Sequence, residues 1–215
     1  MQKKVLELFA GSRSIGKEAE KLGCEVFSVD IKQFGCISLI KDIEFLTIED
    51  LPFIPDIGWG SPMCTTYSIA AISHHRDMGK PKTEFAAKSD RIILNVLKLY
   101  SEILKINPDF KWFLENPRGY LRKMYFMAGI PKTTVWYCRY GDTRAKPTDI
   151  WSNHIRSIFN PDGWQSRPMC FNGNTKCHHE SAPRGSSTGT QGLKNNHERS
   201  KIPQQLCREI IISCL

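Results

Sequence analysis

Lys4-Val5-Leu6-Glu7-Leu8-Phe9-Ala10-Gly11-Ser12-Arg13-Ser14-Ile15-Gly16 changes character twice within a short span. Residues 4–9 form a short, largely apolar run, the pattern of a buried strand. Residues 10–14 are small and polar and read as a turn. Ile15, Ala19 and Leu22 then recur at helical spacing, with Gly23 as a stop. A strand that passes through a small-residue turn into a helix opens a βαβ unit, and the rest of the first half repeats the theme. Residues 24–29 read as a strand ending at Asp30, residues 38–40 as a short strand ending near Asp42, and residues 56–60 as a strand ending at Ser61-Pro62. A helix is predicted over 90–106, with Ile93, Val96, Leu97, Tyr100, Ile103 and Leu104 on one stripe and Asn107-Pro108 ending it. Residues 111–114 form the next strand, running into Glu115-Asn116-Pro117. Strands alternating with helices predict a parallel sheet in an α/β domain, with ligands bound at the carboxyl ends of the strands.

Composition agrees with a folded domain. The chain has 215 residues, 40% of them apolar and 24% charged, which excludes disordered and fibrous classes. No apolar stretch approaches the about 18 residues of a membrane span. The run after Lys3-Lys4 is too short for a signal-peptide core, so a cytoplasmic protein is expected, and its eight cysteines are expected as thiols, metal ligands or a nucleophile rather than disulfides. Charge is uneven. Residues 1–117 carry 15 Lys and Arg against 16 Asp and Glu, whereas residues 118–215 carry 15 against 6. A one-sided basic excess suits a polyanionic partner such as nucleic acid.

The expected strand ends carry the chemistry. Gly11 and Gly16 let a ligand approach the backbone closely, and Asp30 could accept hydrogen bonds from a ribose diol, although neither a phosphate-binding loop nor a GxGxxG pattern is present. Cys64 lies just past a strand end in Gly60-Ser61-Pro62-Met63-Cys64-Thr65-Thr66-Tyr67-Ser68. Glu115 ends another buried strand, where a carboxylate without a partner is costly. A cysteine and a glutamate at adjacent strand ends suit nucleophilic attack coupled to proton donation.

Three ordered motifs resemble the DNA cytosine-5 methyltransferases. Residues 6–16 are similar to that family's first motif, Gly60–Ser68 to its nucleophile motif, and Glu115-Asn116-Pro117 to its E-N-V/P motif. With Lys146-Pro147-Thr148-Asp149-Ile150-Trp151-Ser152-Asn153, the chain resembles the compact members carried by bacteriophages and prophages. The resemblance implies a Rossmann-like α/β fold that binds S-adenosylmethionine, with a mostly parallel central sheet and a small irregular C-terminal region contacting the target. It implies three parts: a catalytic domain over 1–153, a reduced target-recognition region over 154–201, and a C-terminal helix over 202–215 packing back on the catalytic domain. Cys64 would attack C6 of a cytosine flipped out of duplex DNA, Glu115 would hold N3 and the amine, and Arg139 would contact the base or its phosphate. The methyl donor would lie against Phe9, Ala10, Gly11, Ile15, Gly16, Asp30, Ile31, Asp42 and Pro62, with Asp30 on the ribose and Asp42 on the adenine amine. Residues 67–84 resemble the family's mobile loop.

The sequence departs from the family at Met63, Thr65 and Tyr67, and no clean Q-x-R-x-R motif is present, so Arg139 or Arg144 would stand in. Only about 45 residues are left for target recognition. A tRNA cytosine methyltransferase is the rival enzyme reading, because one branch of the family takes RNA; an idle nucleic-acid-binding module is the rival outside catalysis. Cys170, Cys177 and His178 in a Gly/Asn-rich segment could bind zinc, with Cys138, His197 or Cys207 as a fourth ligand. Residues 182–192, with Arg184, read as a loop following a phosphate backbone.

Overall fold

The computed structural model describes residues 2–180 and 196–215. The opening stretch forms β1 (Lys4–Leu8) and α1 (Ser14–Lys21), followed by β2 (Glu25–Asp30), β3 (Leu39–Ile40) and β4 (Ile57–Gly60). Next come the one-turn helix α2 (Ile72–His75), a small hairpin of β5 (Arg76–Asp77) and β6 (Lys80–Pro81), and the long helix α3 (Glu84–Ile106). β7 (Lys111–Pro117), β8 (Lys132–Trp136), β9 (Pro147–Ser152), α4 (Asn196–Ser200) and α5 (Gln204–Ile212) complete the described elements. The seven-stranded sheet has the order β3-β2-β1-β4-β7-β9-β8. All pairings from β3 to β7 are parallel; β9 is antiparallel to both of its neighbours and is the one reversed strand of this sheet.

Side-chain alternation along the strands divides the core into two layers. Leu6, Leu8 and Leu114 face α3, where Ile93, Val96, Tyr100 and Ile103 are buried. Val5, Ile57 and Phe113 face the other way, onto Ile15 and Ala19 of α1 and Leu206, Ile210 and Ile211 of α5. α5 therefore packs on the face of the sheet that α1 covers.

One predicted boundary moves. The long helix begins at Glu84 rather than residue 90, because the Thr83 hydroxyl caps it by accepting the Ala86 N–H at 3.2 Å and because Ala86 and Ser89 extend the buried stripe. The run over 133–140 is strand only as far as Trp136, and Tyr137–Tyr140 form a 3-10 turn ending in Gly141 at φ +86°. Past residue 153 the chain stays against the central sheet: Trp164 packs edge-on against Phe113, and His154 does the same. No helix among the described residues is long and apolar enough to cross a membrane.

Candidate active site

β4 and β7 are neighbours in register, Gly60 beside Leu114, so the residues that follow them leave the same edge of the sheet together. Those residues are Ser61–Cys64 and Glu115. The Asn116 side-chain amide locks the two exits by donating to the Pro62 carbonyl at 2.9 Å. Cys64 caps a single 3-10 turn, Thr65–Tyr67, and is half-buried. Glu115 is 5% exposed. The two sequence-predicted catalytic residues are thus brought to adjacent strand ends.

The residues that surround this pair come from the connection between β8 and β9, residues 137–146, and sequence reading missed most of them. Tyr137 is fully buried and donates its hydroxyl to Glu115 Oε1 at 2.9 Å. The Arg144 guanidinium and the Lys146 ammonium lie 5.5 and 4.7 Å from the centre of the Tyr137 ring. Burial pushes the Cys64 thiol above its ordinary pKa; Lys146 opposes this, the Glu115 carboxylate adds to it, and Arg199 opposes it. Burial and the Glu115 charge drive the Tyr137 phenol far up, so it stays a donor. Arg139 is exposed on the same turn as Tyr137, and no contact brings its guanidinium to Cys64 or Glu115.

The segment after Cys64 is anchored at its base rather than free. The Arg76 side chain is fully buried, donates to the Thr66 carbonyl at 2.9 Å and pairs with Asp90 of α3 at 2.6 Å. Tyr67 donates to the same carboxylate at 2.6 Å while Arg76 stacks 4.4 Å from its ring. The expected mobile loop over 67–84 is therefore a turn and hairpin clamped to α3, with Ile69 and Met78 exposed at its surface.

The donor-side residues gather at the ends of β1, β2 and β3. Phe9 leaves β1 with φ +59°, a conformation rarely adopted by bulky residues and often found where a chain lines a site. A side chain at Gly11 would lie 3.5 Å from Phe34 and 3.7 Å from Asp30 Oδ2, so the loop and the acid lie side by side. Asp30 is nearly buried and accepts the Lys32 N–H at 3.0 Å; burial raises its pKa despite this bond and that from Gly11. Asp42 follows β3, caps a 3-10 turn through the Glu44 N–H at 3.1 Å and pairs with Lys88 at 2.6 Å. Burial alone would raise its pKa, but these bonds outweigh it and hold the carboxyl low. Ile31 is exposed and Pro62 is buried beneath the Asn116 bond.

Ile15 and Gly16 differ from expectation. Their N–H groups donate to Glu7 at 3.1 and 3.0 Å, and a side chain at Gly16 would meet Glu7 Oε2 at 2.5 Å. Glu7, 3% exposed, also accepts from Ser28 at 3.1 Å. The start of α1 is therefore satisfied inside the protein, and the glycine is needed for an internal carboxylate rather than for a ligand.

The predicted metal ligands are partly reassigned. Cys138, Cys170, Cys177 and His179 each place one ligand atom within 4.8 Å of all the others. His178 faces away, its Nε2 3.1 Å from the Asp142 carbonyl. Cys207 is buried in α5 within the main core. The side chain of His197 and residues 182–192 with Arg184 lie outside the described residues.

No family model and no curated protein sequence matches the chain. Solved structures do resemble it. The methyltransferase EhMeth of Entamoeba histolytica matches with a TM-score of 0.52 over 79% of this chain and 58% of that one, at 19% identity. A triple mutant of DNMT2 from Spodoptera frugiperda matches with a TM-score of 0.50 over 78% and 55%, at 14% identity. The chain spans little more than half the length of these neighbours. It has the Rossmann-like α/β fold of these methyltransferases, built on a mostly parallel seven-stranded sheet.

Proposed function

We propose that this chain methylates cytosine C5 in DNA, using S-adenosylmethionine, as a compact member of the cytosine-5 methyltransferases. The observation that carries the reading is the pairing of Cys64 and Glu115 at the ends of β4 and β7, with Tyr137 bonded to the carboxylate. The neighbours' fold and the basic second half support it.

The loop of Phe9, Ala10 and Gly11, with Asp30 and Ile31 beside it, would hold the donor. Its glycine leaves open the space a side chain would fill, and Asp30 offers a buried acceptor to a diol. Asp42 and Pro62 border it, while Ile15 and Gly16 build the wall behind it. Bound there, S-adenosylmethionine supplies an electrophilic methyl group. Cys64 must first lose its proton, which Lys146 and Arg199 favour. The thiolate then adds to C6 of the cytosine, and the electrons of the C5–C6 double bond make C5 nucleophilic. Glu115 holds N3 and the amine, and Tyr137 keeps its carboxylate aimed. After C5 has accepted the methyl group, loss of the C5 proton and departure of the Cys64 sulfur restore the aromatic ring. The base must leave the duplex to reach this edge, a cost of about a few kcal/mol.

Nucleoside mass spectrometry after incubation with duplex DNA or with tRNA tests the proposal. 5-Methyldeoxycytidine in the DNA arm, absent with Cys64→Ala, is the expected result. Product confined to the tRNA arm would move the substrate to RNA, and product in neither arm at saturating donor would leave only a binding module.

A further inference from the structure

We propose that Cys138, Cys170, Cys177 and His179 bind one zinc ion in a closed structural site. The four residues come from two remote segments: Cys138 sits on the 3-10 turn after β8, and the others on the irregular chain over 170–179. Their ligand atoms lie within 4.8 Å of one another, and Cys170 Sγ is 3.7 Å from His179 Nδ1. Tetrahedral zinc with bonds of about 2.3 Å to sulfur and 2.0 Å to nitrogen places its ligands about 3.5–3.8 Å apart, so the ion fits with small side-chain shifts.

A disulfide explains the cluster less well. All three cysteines are free, a single bridge would leave one thiol over, and nothing in a bridge calls for a histidine. Cys138 is 1% exposed, Cys170 6% and His179 9%, while Cys177 is partly exposed; four protein ligands would fill a tetrahedral shell and leave no position for a substrate. Soft thiolates with one imidazole select zinc over hard cations. Outer contacts suit a charged sulfur: the Asn174 side-chain amide donates to Cys170 Sγ at 3.3 Å, and Trp136 and Ala145 wall the cluster from water.

The selection of His179 over its neighbour has a local cause. The Glu180 N–H donates to the Thr143 carbonyl at 2.9 Å, and residue 180 bridges Arg144, which lays this segment along residues 143–144. With the segment held there, His179 Nδ1 lies 3.7 Å from Cys170 Sγ, while His178 Nε2 is taken up by the Asp142 carbonyl at 3.1 Å. The ion would clip a segment that lacks helix or strand onto the turn bearing Tyr137. This inference is independent of which reaction the site performs.

The test is metal analysis of the full-length protein purified under reducing conditions, followed by replacement with cobalt(II). One zinc per chain is expected, with a cobalt charge-transfer band of the intensity of three thiolates. Cys170→Ser and His179→Ala should lose the metal, whereas His178→Ala should keep it. Native protein that retains no zinc after reconstitution and gives no thiolate–cobalt band would overturn the proposal, whatever the variants do. So would a disulfide among the three cysteines, or His178→Ala losing the metal as His179→Ala does.

Discussion

The two ends of the central sheet are built by different means. From β3 to β4 the strands are parallel and joined through turns and short helices, and their acids take backbone N–H groups close by: Glu7 at the start of α1, Asp30 at Lys32, Asp42 at Glu44, with Lys88 of α3 added to Asp42. From β7 to β8 one strand reverses, and the contacts reach far along the chain. Arg122 pairs with Asp149, Arg167 with Glu209, and Arg144 donates to the carbonyls of Arg199 and Lys201. In the proposed function the first end would hold the donor through backbone and carboxylates. The second, assembled from remote pieces, would adjust the charge around Cys64.

The largest effect tests that division at its boundary. Cys64→Ala should lower transfer by about a thousandfold or more while leaving donor affinity unchanged, measured by turnover and by calorimetric titration. Glu115→Gln should cost about a hundredfold in turnover with DNA binding retained. Tyr137→Phe should cost less, about tenfold, since it removes one hydrogen bond to a charged group. If either of these variants instead weakened donor binding, the two ends would not be separate. Asp30→Ala supplies the reverse case: a raised half-saturating donor concentration with turnover at saturation little changed.

Charge around Cys64 gives a finer comparison. Burial holds the thiol high, so activity should rise with pH as the thiolate forms. Lys146→Met removes a cation that favours the thiolate, which should raise the thiol pKa, lower the rate near neutrality and move the rising limb to higher pH. An unchanged profile would remove Lys146 from the site. Away from both ends, Arg76→Met leaves Asp90 without its buried partner and should cost about 3 kcal/mol in a denaturant titration. The smallest effects belong to the surface. Arg118 and Lys123 are exposed. Each that meets a phosphate should shallow the log–log salt dependence of DNA affinity by about 0.9 when replaced by alanine.

The same contrast explains how much the sequence disclosed. The parallel half was legible because apolar runs, small-residue turns and strand-end acids report on near neighbours. β4 and β7 lie beside each other, and Cys64 and Glu115 follow Gly60 and Leu114 at the same edge of the sheet. What escaped depended on distant partners. Gly16 was read as room for a ligand, but its space belongs to Glu7. Tyr137, which bonds Glu115, was not singled out, because the change from strand to 3-10 turn at residue 137 leaves no periodic signal. Arg122 and Arg144 counted as free basic charge, yet both are spent on internal acids, Asp149 and Asp142. The cluster takes His179 in place of His178, and Cys138 from the three fourth ligands offered, through a fold that spacing alone does not show.

The central claim is that Cys64 is a nucleophile toward a cytosine ring held by Glu115. Duplex DNA carrying 5-fluorocytosine tests it most directly, because fluorine at C5 cannot leave as a proton does and the sulfur remains bonded to C6. With S-adenosylmethionine present, the native protein should form a complex that survives denaturation, at one protein per modified base, with the DNA attached to Cys64 on peptide mass mapping. Cys64→Ala should form none. Failure of the native protein to trap 5-fluorocytosine DNA under conditions where it methylates the unmodified duplex, or attachment at another residue, would contradict the account.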